Sequence, residues 1–164
     1  MTSSKGRCGW AVEHPELLDY HDNVWGQPTH DDREIFAAYG QCVLHAGLLW
    51  TAMLMKRPIF AAAFENWDVA KIVGYDEHDI DRLMHTAGMM RDFQKITCII
   101  KNAARYQEVQ REYGTFAAYV WQFVEEKPLL QNASRSVGRR EADQLSVDLK
   151  NAALSLRGRP PPMG

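Results

Sequence analysis

The chain has 164 residues, of which 46% are hydrophobic and 24% charged, and its formal net charge is −2. That length supports one domain able to bury roughly two-thirds of its unfolded surface, and the composition excludes a disordered chain. The balance excludes a uniformly basic nucleic-acid binder, yet Lys and Arg stand 7 against 13 acids over residues 1–90 and 7 against 3 over residues 127–164, which leaves room for a local phosphate-facing surface.

At the amino terminus "MTSSKGRCGW" carries charge and no apolar core, so no secretory signal is read there. Cys8, Cys42 and Cys98 form an odd set at no repeating spacing, which fits free thiols or ligands in a reducing compartment and an expected cytoplasmic location. Apolar residues recur three and four apart, without sustained alternation, and an all-α fold is expected. Asp31 or Asp32 is the predicted N-cap of a helix through "REIFAAYGQCVLHAG", with Ile35, Phe36, Tyr39, Cys42, Val43 and Ala46 on its inner stripe and Gly47 ending or bending it. "LLWTAMLMKR" reads as a second buried segment, and Pro58 opens the next, because proline is tolerated in a first helical turn. The uncharged run Phe36–Met55 is read as buried helix and not as a membrane span, since no stop-transfer flank or second span accompanies it.

From Asp76 the pattern is helix, glycine-centred turn at Gly88 and long helix, a hairpin over residues 76–112. Ile80, Leu83 and Met84 give its first inner stripe, and Ile96, Ile99, Ile100, Ala103 and Tyr106 its second. Gly114 closes it, and Thr115 caps "FAAYVWQFVEE". "KPLLQNASRSVGRR" reads as a linker, residues 141–156 as an amphipathic helix and residues 157–164 as a disordered tail, leaving one domain over residues 1–156.

Three constellations carry candidate chemistry, each with a plainer reading beside it. The Gly88 turn aims backbone N–H groups outward, where a phosphate could accept them with Arg91 and Lys95 on its flanks; an ordinary helical hairpin has the same pattern. Cys8 and His21 are preferred zinc ligands, but a structural zinc needs four and this pair supplies half, so a free thiol and a core or capping histidine are the favoured reading of the residues alone. Trp10, Tyr20, Trp25 and Trp50 are either core or the walls of a slot for a flat, electron-poor heterocycle.

The blocks "RCGW" (Arg7–Trp10), "YHDNVWG" (Tyr20–Gly26), "AGLLW" (Ala46–Trp50), "LMHTAGMMRDFQKI" (Leu83–Ile96) with the following Asn102 and Ala103, and "FVEEKP" (Phe123–Pro128), in this order and spacing, resemble the 3-methyladenine DNA glycosylase I family. The resemblance implies a helix-hairpin-helix fold that flips an alkylated adenine out of double-stranded DNA, hydrolyses its N-glycosidic bond and releases free 3-methyladenine, as a monomer and without a membrane partner. By the same resemblance Trp50 would stack on the base, Tyr20 would flank it, and Trp10 and Trp25 would line the slot. Gly47 and Leu48 would fill the gap in the DNA, and the backbone of Gly88, Met89, Met90 and Arg91 would hold a phosphate, with Lys95 nearby.

Two departures from the family pattern stand out. Cys42 occupies the place, eight residues before Trp50, where the family usually carries a glutamate, and Val43-Leu44-His45 replaces its Gly-Gln-Gln. Base selectivity and a catalytic role at Cys42 are therefore open, and a Cys42–His45 thiolate–imidazolium pair lacks the third group that would orient it. The family also continues into a His-x-x-x-Cys pair completing a zinc site with the ligands matching Cys8 and His21. This chain carries half that ligand set. The alternatives are a catalytically silent DNA- or base-binding relative and a helical module acting through protein contacts.

Overall fold

The computed structural model describes residues 7–127 and 139–151, and among them every regular element is helical. After a 3₁₀ turn at Gly9–Val12 the helices are α1 (Pro15–Asn23), α2 (Asp32–His45), α3 (Trp50–Met55), α4 (Arg57–Ala63), α5 (Val69–Ile72), α6 (Glu77–His85), α7 (Phe93–Tyr113), α8 (Phe116–Trp121) and α9 (Arg139–Asn151). The all-α expectation stands. No described helix is long and apolar enough to cross a membrane.

Helix α7 is the spine. Ile96, Ile99, Ala103 and Tyr106 are buried along it, and it packs against α2, α5, α6 and α8. The buried face of α2 is Phe36, Gly40, Val43 and Leu44, rotated from the predicted stripe, so that Cys42 and Ala46 are exposed. Tyr106 donates from its hydroxyl to the Asp32 carbonyl at 2.6 Å, joining spine to α2.

The caps follow from local chemistry. The Asp31 carboxylate accepts from the N–H groups of Arg33 and Glu34, and Asp76 and Asp79 form a reciprocal capping box on α6. Gly88 sits at φ +77°, a backbone conformation that favours glycine, and a Cβ there would push aside the tip of the Ile59 side chain.

Four expectations are corrected. The second hairpin helix does not open directly after Gly88 but at Phe93, with Asp92 as its cap. The segment after Gly47 is not uniformly buried: Met53 and Leu54 are, while Leu49 and Met55 face solvent. The helix after Thr115 ends at Trp121 and passes into a 3₁₀ turn, because Glu125 and Glu126 adopt positive φ. The last helix starts at Arg139, inside the predicted linker; the rest of that linker, the end of the predicted helix and the tail of residues 157–164 lie outside the described residues.

Candidate functional site

The amino-terminal segment is stitched onto α1 by the polar residues between its aromatic rings. Arg7 grips Asp22 through both carboxylate oxygens, Nε to Oδ1 at 3.2 Å and Nη2 to Oδ2 at 2.6 Å. The Arg7 hydrogen bond, followed by that from His21, holds the Asp22 carboxyl below its ordinary range. His21 Nδ1 lies 3.0 Å from Asp22 Oδ1, and its Nε2 accepts from the Cys8 N–H at 3.4 Å, an arrangement that fixes the Nδ1-protonated tautomer. Its ring stacks on Trp25 at 5.3 Å and meets Trp10 at 5.4 Å.

The four rings expected to form a slot do converge. Trp10 touches Trp25 at 5.8 Å and Tyr20 at 6.4 Å, and Tyr20 meets Trp50 at 6.0 Å. They do not stand as parallel walls. Tyr20 and Trp50 are inclined at 67°, edge to face, whereas two rings that sandwich a base lie parallel and about 7 Å apart, twice the usual contact distance. Trp10, Tyr20 and Trp50 are half-buried, and Trp25 is 48% exposed. Beside Tyr20 and Trp25 a cleft of about 320 Å³ runs along α2, past Ala38 and Gln41 to Glu34.

Two residues of this site were not singled out from the sequence. The guanidinium of Arg57 lies 4.6 Å from the Tyr20 ring centroid, and its Nε donates to Gln41 Oε1 at 3.2 Å. Gln41 is only 8% exposed, so the amide is a fixed anchor. A signal existed: Lys56 and Arg57 are the first charges after twenty-one uncharged positions, 35–55. Burial pushes the Tyr20 phenol above its ordinary range against the opposing pull of Arg57, leaving a neutral hydroxyl at pH 7. Cys42 is near enough to influence that phenol. Partial desolvation raises its own thiol above the ordinary range, so the sulfur is uncharged near neutrality.

The hairpin is tied to this site by two lysines. Lys56 donates to the Gly88 carbonyl at 2.6 Å, and Lys95 donates to the Leu44 carbonyl at 3.3 Å and to that of Ala46. Lys95 thus caps the carboxyl end of α2, and its ammonium is engaged inside the fold instead of standing beside Arg91. In the turn the Met89 N–H is used by Thr86 and the Asp92 N–H by Met90. Gly88, Met90 and Arg91 keep N–H groups with no acceptor among the described residues, and the Arg91 side chain is exposed. Gly47, at φ +87°, turns the chain between α2 and α3, leaving Leu48 half-buried.

Zinc is implied by the resemblance alone. Among the described residues no group of three or more His, Cys, Asp or Glu side chains is placed to hold a metal, and both nitrogens of His21 are occupied within the protein.

A helical hairpin tied beside a cluster of three indoles and a phenol defines the class: a helix-hairpin-helix protein with an aromatic cluster next to its hairpin. The sequence matches the methyladenine glycosylase family over residues 10–159, and the chain belongs to that family. It is 34% identical over 152 residues to DNA-3-methyladenine glycosylase 1 of Escherichia coli, covering 93% of this chain and 81% of that one. To the DNA-3-methyladenine glycosylase of Haemophilus influenzae it is 34% identical over 126 residues, 77% of this chain and 68% of the other. The structure of 3-methyladenine DNA glycosylase I from Staphylococcus aureus superposes with a TM-score of 0.83 at 33% identity, covering 91% of this chain and 81% of that one. A complex of 3-methyladenine DNA glycosylase I with 3-methyladenine gives 0.82 at 32% identity over 92% and 83% of the two chains.

Proposed function

We propose that this chain is a monofunctional DNA glycosylase of base-excision repair that removes alkylated adenine, 3-methyladenine above all, from double-stranded DNA. The observation that carries the reading is the convergence of Tyr20 and Trp50 beside the hairpin in a chain of this family. A duplex phosphate seats on the free N–H groups of Gly88, Met90 and Arg91, and the lesion turns out of the stack toward Trp50. Arg57 covers one face of Tyr20, so the base uses Trp50 and the remaining face of the phenol ring. Rotation of Trp50 or Tyr20 from its edge-on contact opens the slot.

An N3-alkylated adenine in DNA is a cation, already activated as a leaving group. When the bond from C1′ to the base breaks, the bonding pair neutralises the ring and free 3-methyladenine departs; water adds to C1′ and loses its proton to solvent. The protein's part is to select the flat cation by stacking and cation–π attraction and to exclude competing geometries. We assign this work to a cytoplasmic monomer.

A second reading, a relative that binds the base or DNA without excising it, is favoured by the uncharged Cys42 thiol where the family pattern puts a carboxylate. Incubation with methylated duplex DNA separates the two. Release of free 3-methyladenine establishes the enzyme, and quenching of tryptophan fluorescence by the free base without release establishes the silent binder. A protein that does neither is not acting through this site.

A further inference from the structure

The cleft along α2 carries opposite chemistry at its two ends. At one end the Arg57 guanidinium is half-buried and has no ion-pair partner among the described residues, a setting in which a cation calls for an anion. Its Nε engages Gln41 Oε1, and this fixes the orientation of the Gln41 amide. With the oxygen taken, Nε2 is left as a donor with no acceptor among the described residues, on a cleft-lining side chain that is only 8% exposed. At the other end stands Glu34, exposed and without a cationic partner among the described residues, one oxygen accepting from Thr29 Oγ1 and the other open. Glu34 and Gln41 lie two turns apart on α2, about 10 Å along its axis. Between them the short side chains of Ala37 and Ala38 leave a hollow of about 320 Å³, walled by the rings of Tyr20 and Trp25. Cys42 and Trp50 take no part in its lining.

We infer that this cleft is a second binding site, separate from the contact of Tyr20 with Trp50, and that it takes a free mononucleotide whose base carries an exocyclic amino group. The phosphate seats on the outer nitrogens of Arg57 and on Gln41 Nε2, as charge-assisted hydrogen bonds favour. The base lies against the aromatic wall, and its amino group donates to the open oxygen of Glu34. A continuous strand does not suit this chemistry, because its next phosphate would have to pass the Glu34 carboxylate, whereas a free nucleotide brings one anionic group to the one cationic end. The assignment does not depend on whether the chain excises bases.

The test titrates the full chain by calorimetry with deoxyadenosine monophosphate, deoxyinosine monophosphate, deoxyadenosine and inorganic phosphate. The adenine nucleotide binds once per chain. Deoxyadenosine lacks the phosphate, and the inosine nucleotide presents an accepting oxygen where adenine presents its amino group; each binds about 10-fold more weakly, as does inorganic phosphate. Arg57→Met keeps the aliphatic stem and removes the charge, so the adenine nucleotide and its nucleoside bind alike. Glu34→Gln, made on an exposed side chain, supplies an amide donor for the inosine oxygen and moves the ratio of the two nucleotide affinities by about 10-fold toward inosine, a shift that a merely structural glutamate would not give. Inorganic phosphate that binds as tightly as the nucleotide, with no response to Glu34→Gln, leaves only an anion seat and overturns the inference. So does nucleotide binding that Trp50→Ala abolishes and Arg57→Met spares, which places the base at Trp50 instead. A single-stranded oligonucleotide that outcompetes the nucleotide and depends on both Arg57 and Glu34 assigns the cleft to a strand and overturns it as well, as does the absence of binding by every probe at millimolar concentration.

Discussion

Cys42 and its surroundings decide how the site treats charge. Desolvation keeps its thiol protonated near neutral pH, Arg57 adds a fixed positive charge at Tyr20, and the phenol stays neutral, so the attraction for a cationic base falls to the ring faces alone. A carboxylate at position 42 would add charge attraction, and Cys42→Glu is expected to raise release of 3-methyladenine by roughly 10-fold, about 1.4 kcal/mol in the barrier. The pH profile separates charge from other effects. A raised thiol pKa leaves Cys42 with no ionisation step between pH 6 and 8, whereas the variant acquires a step near the carboxylate range, at about pH 4–5, below which its advantage disappears. Cys42→Ser, uncharged like the native residue, is expected to match it. If serine abolishes activity while folding is intact, sulfur chemistry is essential and the electrostatic account is wrong.

Between elements, the firmest polar joint is made by Asp32. Its carboxylate accepts from the Phe116 and Ala117 N–H groups at 2.9 and 2.8 Å and from Gln110 Nε2 at 2.6 Å, so the first turn of α2 caps the amino end of α8. Asp32→Ala leaves three donors to find water and is expected to cost roughly 2–4 kcal/mol in urea unfolding, against about 1 kcal/mol for Asp31→Ala, which removes one local cap. Equal losses would show that the joint between α2 and α8 contributes nothing beyond an ordinary cap. The pair also shows where sequence reading stops. Aspartates at positions 31 and 32 both look like caps for the helix they precede, and Asp31 is one; Asp32 serves a helix 84 residues away, a partnership with no local signature. Asp76, Gly88 and Thr115 were legible because caps and turns depend on neighbours within four residues, whereas the start of α7 at Asp92 was not read. Leu49 and Met55 were misread as buried because an apolar letter reports preference, and preference was overridden at a surface shaped for something else. The rings of the site were legible as a set, from motif spacing, but their tilts and the Gln41–Arg57 support depend on how α1, α2 and α4 meet in space.

Across the whole molecule, the repair reading requires a chain of net charge −2 to present a coherent face to DNA. Much of its local basic charge is engaged within the fold: Lys56 and Lys95 hold the hairpin to the end of α2 and to the segment that leads into α3, fixing the distance between the Gly88 turn and Trp50, while Arg57 supports Tyr20. Arg91 is the residue of this group that remains exposed without an internal partner among the described residues. This division of labour predicts two different phenotypes. Arg91→Ala is expected to weaken DNA binding at low salt and reduce the slope of log affinity against log salt by about 1, with Tm unchanged, as for the loss of one phosphate contact. Lys95→Met retains the aliphatic stem and is expected to leave that slope unaltered while lowering stability by about 1–2 kcal/mol, through the uncapped carbonyls of α2. Base release in Lys95→Met falls more than binding does, because the hairpin and the slot no longer share a rigid frame. Should Lys95→Met instead flatten the salt dependence and spare Tm, its ammonium is a phosphate ligand in the complex and the frame is held by Lys56 alone.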